Sequence, residues 1–291
     1  LPSNRAVAQV TGHNAGVTKV REEFVGVHPE LANKIAVLNA RLSELGSVVV
    51  AFSGGADSAF LAAAAQRALG TKGTHCVTAV SPSLAGDEAE DCRLLAEEWG
   101  LRWTPVVTHE MERAAYRLND TDRCFHCKAE LMDVVTPIAS IAEATVVLGV
   151  NVDDLGDHRP GQQAAQQAGA QFPLVDAGFT KADVRAASQH FGLRTWDKPA
   201  AACLASRIPY GTEVSVGILS GVDRAEAALH RLGFAQVRVR HYDDTARIEV
   251  ELEELAGVVA RRNEVIAAVQ AAGYRYVTLD LEGFRSGNLN G

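Results

Sequence analysis

The hexapeptide Ser-Gly-Gly-Ala-Asp-Ser at residues 53–58 is the strongest chemical signal in the chain. It follows an apolar, β-branched run at residues 48–52 and precedes a helix-forming run at residues 59–65. In that position a loop presents unpaired backbone N–H groups and the positive end of a helix dipole to an anion. The residues that would contact a phosphate or a metal ion are Ser53, Gly54, Gly55, Asp57 and Ser58. We therefore predict a phosphate-binding loop between a buried strand and a helix.

Each residue type in this loop suits contact with an anion. The two glycines have no Cβ to keep a phosphate at a distance, and the two serines add hydroxyl donors. The aspartate could orient a metal ion or cap the helix. The sequence has neither the Gly-Lys-Ser/Thr pair of the Walker motif nor the Gly-x-Gly-x-x-Gly dinucleotide fingerprint. The plain alternative is a tight strand-to-helix connection with serine caps.

Three cysteines have neighbours that suit metal binding or thiol chemistry. Cys124 and Cys127 form a C-x-x-C pair, flanked by Arg123 and Lys128. Nearby positive charge favours the thiolate form, which binds metals or acts as a nucleophile. Two thiols do not complete a zinc or iron–sulfur site, so a third would have to join, and Cys203 is the candidate. Four interpretations stay open: an iron–sulfur cluster, a zinc site that recruits the nearby histidine, a dithiol redox couple, or a structural role.

Cys203 lies in a segment with the composition of a shaped loop. Residues 196–211 contain two prolines, a glycine and several small residues around this one thiol. Lys198 and Arg207 are available to lower the pKa of the thiol. The alternative is an inert loop cysteine.

Two further groups of charged residues are candidates for binding a nucleotide or a phosphate. One is an acidic and then basic loop, whose members are Asn151, Asp153, Asp154, Asp157 and Arg159. In the other, Arg238 and Arg240 alternate on a predicted strand, so both guanidinium groups face the same way and could grip a phosphate. Arg285 and Ser286 could add to that anion pocket. The alternatives are a solvated turn and a solvated sheet face.

Composition excludes several classes of function. The chain has 291 residues with a net charge of −8, and 47% of the residues are hydrophobic and 22% charged. These values are ordinary for a globular protein with a sizeable core. The negative charge argues against a broad nucleic-acid surface and favours small substrates. No apolar stretch approaches the ~18 residues of a membrane span.

The cysteine count indicates a reducing compartment. Five cysteines, an odd number, occur in a chain in which we find no export signal. This pattern favours free thiols over a disulfide framework, so we expect the protein in the cytoplasm. Cys76 falls in a predicted strand and Cys92 in a predicted helix, so both are expected to be small buried hydrophobes.

The elements that must position these residues alternate between strand and helix. The predicted strands are Val48–Phe52, Cys76–Val80, Arg102–Val107 and Thr145–Gly149, and the helices between them include Ala59–Leu69, Asp87–Trp99 and Lys128–Ile141. This alternation favours an α/β fold with a doubly wound, mostly parallel sheet. Ligands in such sheets bind at the carboxyl ends of the strands. The phosphate loop and residues 81–85 and 151–154 each follow a strand, so we expect them to line one crevice.

The pattern changes after residue 212. The predicted elements are a helix at 217–232, alternating segments at 235–240 and 246–251 around a turn, a helix at about 253–271, and a strand at 274–279. They predict a small α+β unit. The predicted division is a flexible N-terminal arm at 1–28, an α/β domain at 29–212 and a small α+β C-terminal domain at 213–291.

Several motifs resemble those of the LarE family of ATP-dependent sulfur transferases. The hexapeptide at 53–58 resembles the PP-loop of ATP pyrophosphatases. The segments that resemble LarE are residues 151–161, residues 196–211 and the terminal residues 283–290. The resemblance runs from about Pro29 to the C-terminus. It implies a PP-loop ATP pyrophosphatase architecture for the α/β domain.

The resemblance also implies a reaction. LarE enzymes adenylate a carboxylate of pyridinium-3,5-biscarboxylic acid mononucleotide and replace it by a thiocarboxylate, on the route to the nickel-pincer nucleotide of lactate racemase. Cys203 matches the family's sulfur-bearing cysteine. Some members sacrifice that cysteine, which becomes dehydroalanine, whereas others hold a 4Fe-4S cluster on three cysteines. Because this chain has the additional C-x-x-C pair, we expect a cluster on Cys124, Cys127 and Cys203.

The same resemblance assigns roles to the other candidates. ATP and Mg²⁺ are expected at the PP-loop together with Asn151 and Asp154. The predicted substrate-binding residues are Asp157, Arg159, Ser206, Arg207, Arg238, Arg240 and Arg285. The expected partners are the small pyridinium mononucleotide and an external sulfur donor, with no nucleic acid and no membrane. A homo-oligomer is expected because the family forms them.

Three other functions use parts of the same pattern. A tRNA thiolase combines a PP-loop with a C-x-x-C pair, but the net charge of −8 and the Cys203 segment count against it. An amide-forming PP-loop ligase adenylates an acid and adds ammonia, which needs no thiol. A non-catalytic nucleotide-binding module would bind ATP without making AMP and pyrophosphate.

Overall fold

The computed structural model describes residues 28–156, 160–199 and 202–285. Its larger sheet has four parallel strands in the order β3-β2-β1-β4. The strands are β1 (Val48–Ala51), β2 (Thr74–Val80), β3 (Trp103–Val107) and β4 (Thr145–Leu148). All four predicted strands are present, with small shifts at their ends. Within the described ranges, no helix combines the length and the hydropathy of a membrane span.

Helices cover both faces of this sheet. They are α1 (Pro29–Leu45), α2 (Ala56–Gly73), α3 (Gly86–Glu98), α4 (Ala114–Arg117), α5 (Arg123–Ile141), α6 (Pro160–Gln167), α7 (Pro173–Asp176) and α8 (Lys181–His190). Val48 and Val50 pack into a core with α1, α2 and α8, whereas Val49 packs with α5 and α6. Successive side chains of a strand point to opposite faces, so one apolar run serves two cores. The doubly wound α/β fold is confirmed.

Helix α5 begins earlier than predicted. Its first residue is Arg123 rather than residue 128, so both cysteines of the C-x-x-C pair lie inside the helix. The first turn is closed by a hydrogen bond of 2.9 Å from the Arg123 N–H to the Asp120 carbonyl. Residues three apart lie on the same face of a helix, which holds Cys124 and Cys127 side by side.

The C-terminal part is the small α+β unit that the sequence predicts. Strands β5 (Val237–Tyr242) and β6 (Thr245–Val250) form an antiparallel hairpin, and β7 (Tyr276–Leu279) pairs parallel with β6. The helices are α9 (Val216–Arg231), α10 (Leu255–Ala260) and α11 (Arg262–Ala271). The single helix predicted at 253–271 is wrong. The backbone dihedral angles leave the helical region at Arg261, and the guanidinium of this residue donates to the Leu232 carbonyl.

The segment that follows Cys203 packs on the C-terminal unit. The core of that unit includes Leu204 and Ile208, together with Tyr116 from α4. Residues before the predicted boundary at 212 therefore share a core with residues after it. The position of Cys203 therefore depends on both the α/β domain and the C-terminal unit.

Cys76 and Cys92 are fully buried, as the sequence predicts. Burial raises the pKa of Cys76 to about 12 and that of Cys92 to about 11. Both thiols stay protonated near neutral pH and act as small apolar side chains.

Candidate active site

The PP-loop connects β1 to α2, and its serines hold it closed. The Ser58 hydroxyl accepts a hydrogen bond from the Ser53 N–H at 3.2 Å and donates to the Gly55 carbonyl at 3.2 Å. The two serine hydroxyls lie 3.0 Å apart. The N–H groups in the first turn of α2 have no partners within the helix. The loop therefore has the backbone geometry that binds phosphates.

Two glycines allow the loop to sit against the sheet. Gly54 has a φ of +69°, and a Cβ there would lie 2.9 Å from Cys92 Sγ. Gly149 follows β4, and a Cβ there would lie 2.7 Å from the Ser58 nitrogen. A side chain at either position would push the loop away from its neighbours. The close approach brings the loop after β1 and the segment after β4 together.

Asp57, Asn151 and Asp154 meet beside the loop. Asn151 Nδ2 donates to Asp57 Oδ1 at 3.0 Å, and the Asn151 N–H donates to Asp154 Oδ2 at 3.2 Å. Burial raises the pKa of Asp57; the hydrogen bond from Asn151 opposes this shift, and the charge of Asp154 adds to it. Carboxylate oxygens are the ligands that Mg²⁺ prefers, so Asp57 and Asp154 fit a divalent cation.

Lys181 and Arg185 influence this site although the sequence did not single them out. Lys181 Nζ lies 3.2 Å from Asp154 Oδ1, and the charges of both residues lower the pKa of Asp57. They belong to the first turns of α8, which begins with a capping box between Thr180 and Asp183. That Thr-x-x-Asp spacing marks a helix start, but nothing in the sequence places it beside the loop.

Cys203 lies at the same edge of the sheet. The Leu204 N–H donates to the Ser83 carbonyl at 2.9 Å, and Ser83 follows the carboxyl end of β2. The Ser83 hydroxyl is hydrogen-bonded to the buried hydroxyl of Tyr116. The exposed Cys203 therefore precedes a residue that is bonded to the end of β2, and β2 is a neighbour of the strand that carries the PP-loop.

A buried ion pair supports the Cys203 backbone. Arg207 is 3% exposed and Glu226 is 5% exposed, and two hydrogen bonds of 2.9 Å join them. Arg207 Nη1 also donates to the carbonyls of Ala202 and Cys203 at 2.6 and 3.1 Å. The guanidinium therefore holds the backbone carbonyl that precedes Cys203 and the carbonyl of Cys203 itself.

Three more side chains bond to the carbonyls that follow Cys203. Arg123 donates to the Ala205 carbonyl and Arg240 to the Ser206 carbonyl, both at 2.9 Å. Asn119, which is fully buried, donates to the carbonyls of the same loop further on. These donors come from both parts of the chain, so the loop takes this shape only in the complete fold.

Three of the cations predicted to act on Cys203 or on the substrate are already paired, namely Lys198, Arg207 and Arg240. Lys198 bonds to two carboxylates of α3 at 2.8 and 2.6 Å, and Arg207 bonds to Glu226. Neither presents an uncompensated charge to Cys203, contrary to the sequence expectation. Arg240 is 5% exposed and bonds to Glu249 at 2.8 Å. Direct contact of Arg207 and Arg240 with the substrate stays a prediction.

The three candidate thiols differ in exposure. Cys124 and Cys203 are exposed, whereas Cys127 is partly buried against the core of the C-terminal unit. Burial raises the pKa of Cys127 to about 12, and the charges of Cys203 and Cys124 act in the same direction. Lys128 opposes this shift but does not outweigh it, so the flanking cations do not lower the pKa of the free Cys127 thiol. The thiolate form of a metal-bound Cys127 stays a prediction.

Comparison with known proteins decides the family. The NAD synthase family model matches residues 31–130, which include the PP-loop and the C-x-x-C pair. An uncharacterized protein of Synechocystis is 44% identical over 263 residues, which cover 89% of this chain and 98% of that protein. The pyridinium-3,5-bisthiocarboxylic acid mononucleotide synthase of Lactiplantibacillus plantarum is 38% identical over 261 residues, which cover 89% of this chain and 95% of the synthase. This chain belongs to the LarE family of ATP-dependent sulfur transferases.

A more distant relative has the same extent. An uncharacterized protein of Methanocaldococcus jannaschii is 25% identical to this LarE-family chain over 240 residues, which cover 82% of this chain and 91% of that protein. All three relatives match across both the α/β domain and the C-terminal unit. The Cys203 loop, which the NAD synthase model does not reach, lies inside these longer matches.

The three candidate thiols of this LarE-family chain match a cluster by residue type. Three cysteines are a donor set that a four-iron cluster accepts. Within the described ranges, no three His, Cys, Asp or Glu side chains are close enough together to hold one metal ion. A cluster on Cys124, Cys127 and Cys203 therefore stays a prediction.

Arg238 is the substrate-binding candidate with the strongest electrostatic signal. Burial is the main reason that its pKa is lowered to about 10; the charges of two neighbouring arginines act in the same direction, and those of Glu226 and Glu249 oppose it. Its guanidinium lies 5.3 Å from the centre of the Phe284 ring. A bound anion would favour the charged form of Arg238. Arg285 pairs with Glu282.

The remaining predicted site residues have different outcomes. The Ser206 hydroxyl accepts a hydrogen bond of 3.0 Å from Arg207, so it belongs to the support of the Cys203 loop. Asp157, Arg159 and Ser286 lie outside the described residues, as does the predicted arm up to residue 27.

Proposed function

We propose that this protein uses ATP to adenylate a carboxylate of pyridinium-3,5-biscarboxylic acid mononucleotide and then converts it to a thiocarboxylate. The product class is a pyridinium thiocarboxylate on the route to the nickel-pincer nucleotide. One observation supports the proposal: the residue after the exposed Cys203 bonds to Ser83 after β2, and β2 pairs with the strand that precedes the PP-loop. The 38% identity to the named synthase supports the choice of substrate.

The first half-reaction activates the carboxylate. A carboxylate oxygen attacks the α-phosphorus of ATP, the bond from that phosphorus to the bridging oxygen breaks, and pyrophosphate leaves with the electron pair. Backbone N–H groups of residues 53–58 bind the phosphates. Asp57 and Asp154 would hold Mg²⁺, which supplies charge neutralisation to the polyphosphate when bound. The acyl adenylate has AMP as a leaving group, which the free carboxylate lacks.

The second half-reaction replaces AMP by sulfur. A sulfur nucleophile attacks the acyl carbon, and AMP leaves with the electron pair of the C–O bond. We assign a cluster to Cys124, Cys127 and Cys203. When bound, a 4Fe-4S cluster on three thiolates supplies sulfide from the iron that lacks a protein ligand.

The alternative for sulfur delivery is sacrifice of Cys203 itself. Its thiolate would form a thioester with the acyl group, and loss of the Cα proton would then break the Cβ–S bond. The products would be the thiocarboxylate and dehydroalanine at position 203. The exposure of Cys203 is compatible with both routes, but the partly buried Cys127 beside it has no role in the sacrificial one.

The substrate phosphate is assigned to the arginine face of β5. Arg238 is a half-buried cation whose pKa is lowered by burial and by two neighbouring arginines, and a phosphate beside it would stabilise its charged form. Arg285 follows Phe284, which lies against Arg238, and adds a second cation to the same region. Arg207 and Arg240 support this face from within their ion pairs.

Repeated turnover through the cluster route needs further partners. Each thiocarboxylate consumes one sulfide, so an external sulfur donor must replace it. Free thiols and a cluster both require a reducing compartment, for which we propose the cytoplasm. We also expect a homo-oligomer, as the family resemblance implies.

Product analysis tests the proposed function. The purified protein is incubated without oxygen with the pyridinium biscarboxylate mononucleotide, Mg·ATP and sulfide, and the products are identified by mass spectrometry. We expect AMP, pyrophosphate and a nucleotide in which one carboxylate oxygen is replaced by sulfur. A parallel reaction contains ammonia in place of sulfide. An amide from that reaction, with no sulfur-containing product from the first, would contradict the proposal and indicate an amide-forming ligase.

Metal analysis tests the cluster route separately. Iron, acid-labile sulfide and visible absorption are measured for the wild-type protein and for Cys124→Ala, Cys127→Ala and Cys203→Ala. We expect all three variants to lose the cluster, while Cys76→Ala, which changes a core cysteine, keeps it. A wild-type protein that stays colourless after iron–sulfur reconstitution would exclude the cluster. Cys203 should then lose the elements of H₂S after one turnover.

A further inference from the structure

Lys181 is the first residue of α8, and two bonds attach it to the segment that follows β4. Its N–H donates to Asp153 Oδ2 at 2.8 Å, and its Nζ lies 3.2 Å from Asp154 Oδ1. The Asp154 side chain is 8% exposed, whereas the Lys181 side chain is 54% exposed. The carboxylate is therefore fixed, and the ammonium at the end of a flexible stem is free to change partner.

The order of the strands places Lys181 and Cys203 on opposite sides of the PP-loop. The loop follows β1, which lies between β2 and β4. Leu204 bonds to Ser83 after β2, and Lys181 bonds to Asp153 and Asp154 after β4. A phosphate bound on the loop would therefore have Cys203 on its β2 side and the Lys181 ammonium on its β4 side.

A displacement reaction at phosphorus fixes the side from which the nucleophile attacks relative to the side on which the leaving group departs. The attacking and the leaving oxygens lie roughly in line on opposite sides of the phosphorus. The carboxylate that is to receive sulfur must lie on the Cys203 side, so it attacks the α-phosphorus from the β2 side. The pyrophosphate then departs toward β4, where Lys181 lies.

We propose that Lys181 binds the β- and γ-phosphates of ATP and neutralises the pyrophosphate as it leaves. This inference rests on the proposed adenylation. When the bond from the α-phosphorus to the bridging oxygen breaks, the electron pair stays on the pyrophosphate, which gains negative charge. The Lys181 ammonium moves from the Asp154 carboxylate to the oxygens of the leaving pyrophosphate, and no proton has to be transferred. The charge of Arg185, one turn further along α8, adds to the same field.

The test compares two lysine variants of the same region. Lys181→Gln removes the ammonium that pairs with Asp154. Lys34→Gln is the matched control, because Lys34 Nζ bonds to Asp183 of α8 at 2.7 Å and its loss loosens the same helix. Binding of magnesium pyrophosphate is measured by calorimetry, and the kcat and KM of AMP formation are measured with ATP.

We expect Lys181→Gln to weaken pyrophosphate binding and to lower kcat/KM for ATP, each roughly 10- to 100-fold, which is typical of a lost charge-assisted hydrogen bond. Lys34→Gln should bind pyrophosphate like the wild type. Wild-type binding by Lys181→Gln, or equal losses in both variants, would overturn the inference. A wild-type protein that makes no AMP would contradict the adenylation instead, and the pyrophosphate titration would still decide the role of Lys181.

Discussion

The PP-loop and the Cys203 loop lie at the same edge of one sheet but are built in opposite ways. The PP-loop is closed by bonds within six residues, from Ser53 to Ser58. The Cys203 loop is held by side chains far away in the chain, since Arg123 lies 82 residues from the carbonyl that it bonds and Arg240 lies 34 residues from its own. The first loop depends on backbone shape, and the second depends on the complete fold.

This difference separates the two half-reactions in structural terms. Adenylation uses the loop whose form is local, and sulfur delivery uses the loop whose form needs buried charges from the C-terminal unit. Substitutions in one loop should therefore damage one half-reaction more than the other. The following changes break or sharpen that contrast, beginning with the largest expected effect.

Gly54→Ala should nearly abolish AMP formation. The position has a φ of +69°, and the new Cβ would lie 2.9 Å from Cys92 Sγ, so the loop must shift. A displacement of about 1 Å can reduce catalysis roughly 100-fold. The matched control is Gly46→Ala, because Gly46 has a φ of +70° with no atom within 4 Å of the new Cβ. It should keep AMP formation, measured by coupled pyrophosphate release. Equal activities of the two variants would contradict the local account.

Arg207→Met should destabilise the fold and uncouple sulfur delivery from adenylation. It leaves Glu226 buried without its cation, a change that typically costs about 3–5 kcal/mol in the free energy of unfolding. The carbonyls of Ala202 and Cys203 also lose a donor. Urea unfolding gives the stability, and the ratio of thiocarboxylate to AMP gives the coupling, which should fall.

The control for this change is Arg93→Met, which removes an exposed arginine from its pairs with Glu90 and Glu97. Exposed pairs contribute little, so its unfolding curve should match that of the wild type. An Arg207→Met protein with wild-type stability and an unchanged product ratio would refute the supporting role of the ion pair.

The thiols should react with iodoacetamide at different rates in protein without a cluster. Burial raises the pKa of Cys127 to about 12 from an ordinary value of 9.0. Its thiolate fraction at pH 8 is therefore about 1000-fold lower than that of an ordinary thiol. Because the pKa is raised, its alkylation should speed up about tenfold per pH unit from pH 8 to 11. Peptide mapping measures this, and early labelling of Cys127 at pH 8 would disagree with its burial.

Tyr116→Phe should have the smallest effect. It removes the hydrogen bond between the Tyr116 and Ser83 hydroxyls, while the bond from Leu204 to the Ser83 carbonyl remains. A single neutral hydrogen bond contributes about 0.5–1.5 kcal/mol to the free energy of unfolding. We expect wild-type AMP formation and a modest loss of thiocarboxylate. A loss as large as that of Gly54→Ala would mean that Tyr116 acts in adenylation.

The contrast also explains which parts of the site could be predicted from sequence. The PP-loop is readable because its glycines and serines are contiguous and follow an apolar run. From the sequence, Arg207 is predicted to bind the substrate because its charge is visible there. Its partner Glu226 lies 19 residues away in α9, and only the folded structure shows that the two residues are paired. Lys181 gave no signal for the same reason, since only the fold brings α8 to Asp154. Local patterns reveal backbone sites, and buried pairs need tertiary structure.

The most direct test of the account follows both products in Cys203→Ser with the pyridinium biscarboxylate mononucleotide and Mg·ATP. The substitution keeps the size of the side chain and the backbone bonds of the loop but removes the sulfur. We predict that AMP and pyrophosphate still form in a first turnover, whereas no thiocarboxylate is detected by mass spectrometry. Thiocarboxylate at the wild-type level would contradict the central claim that sulfur delivery to the activated carboxyl requires the Cys203 thiol.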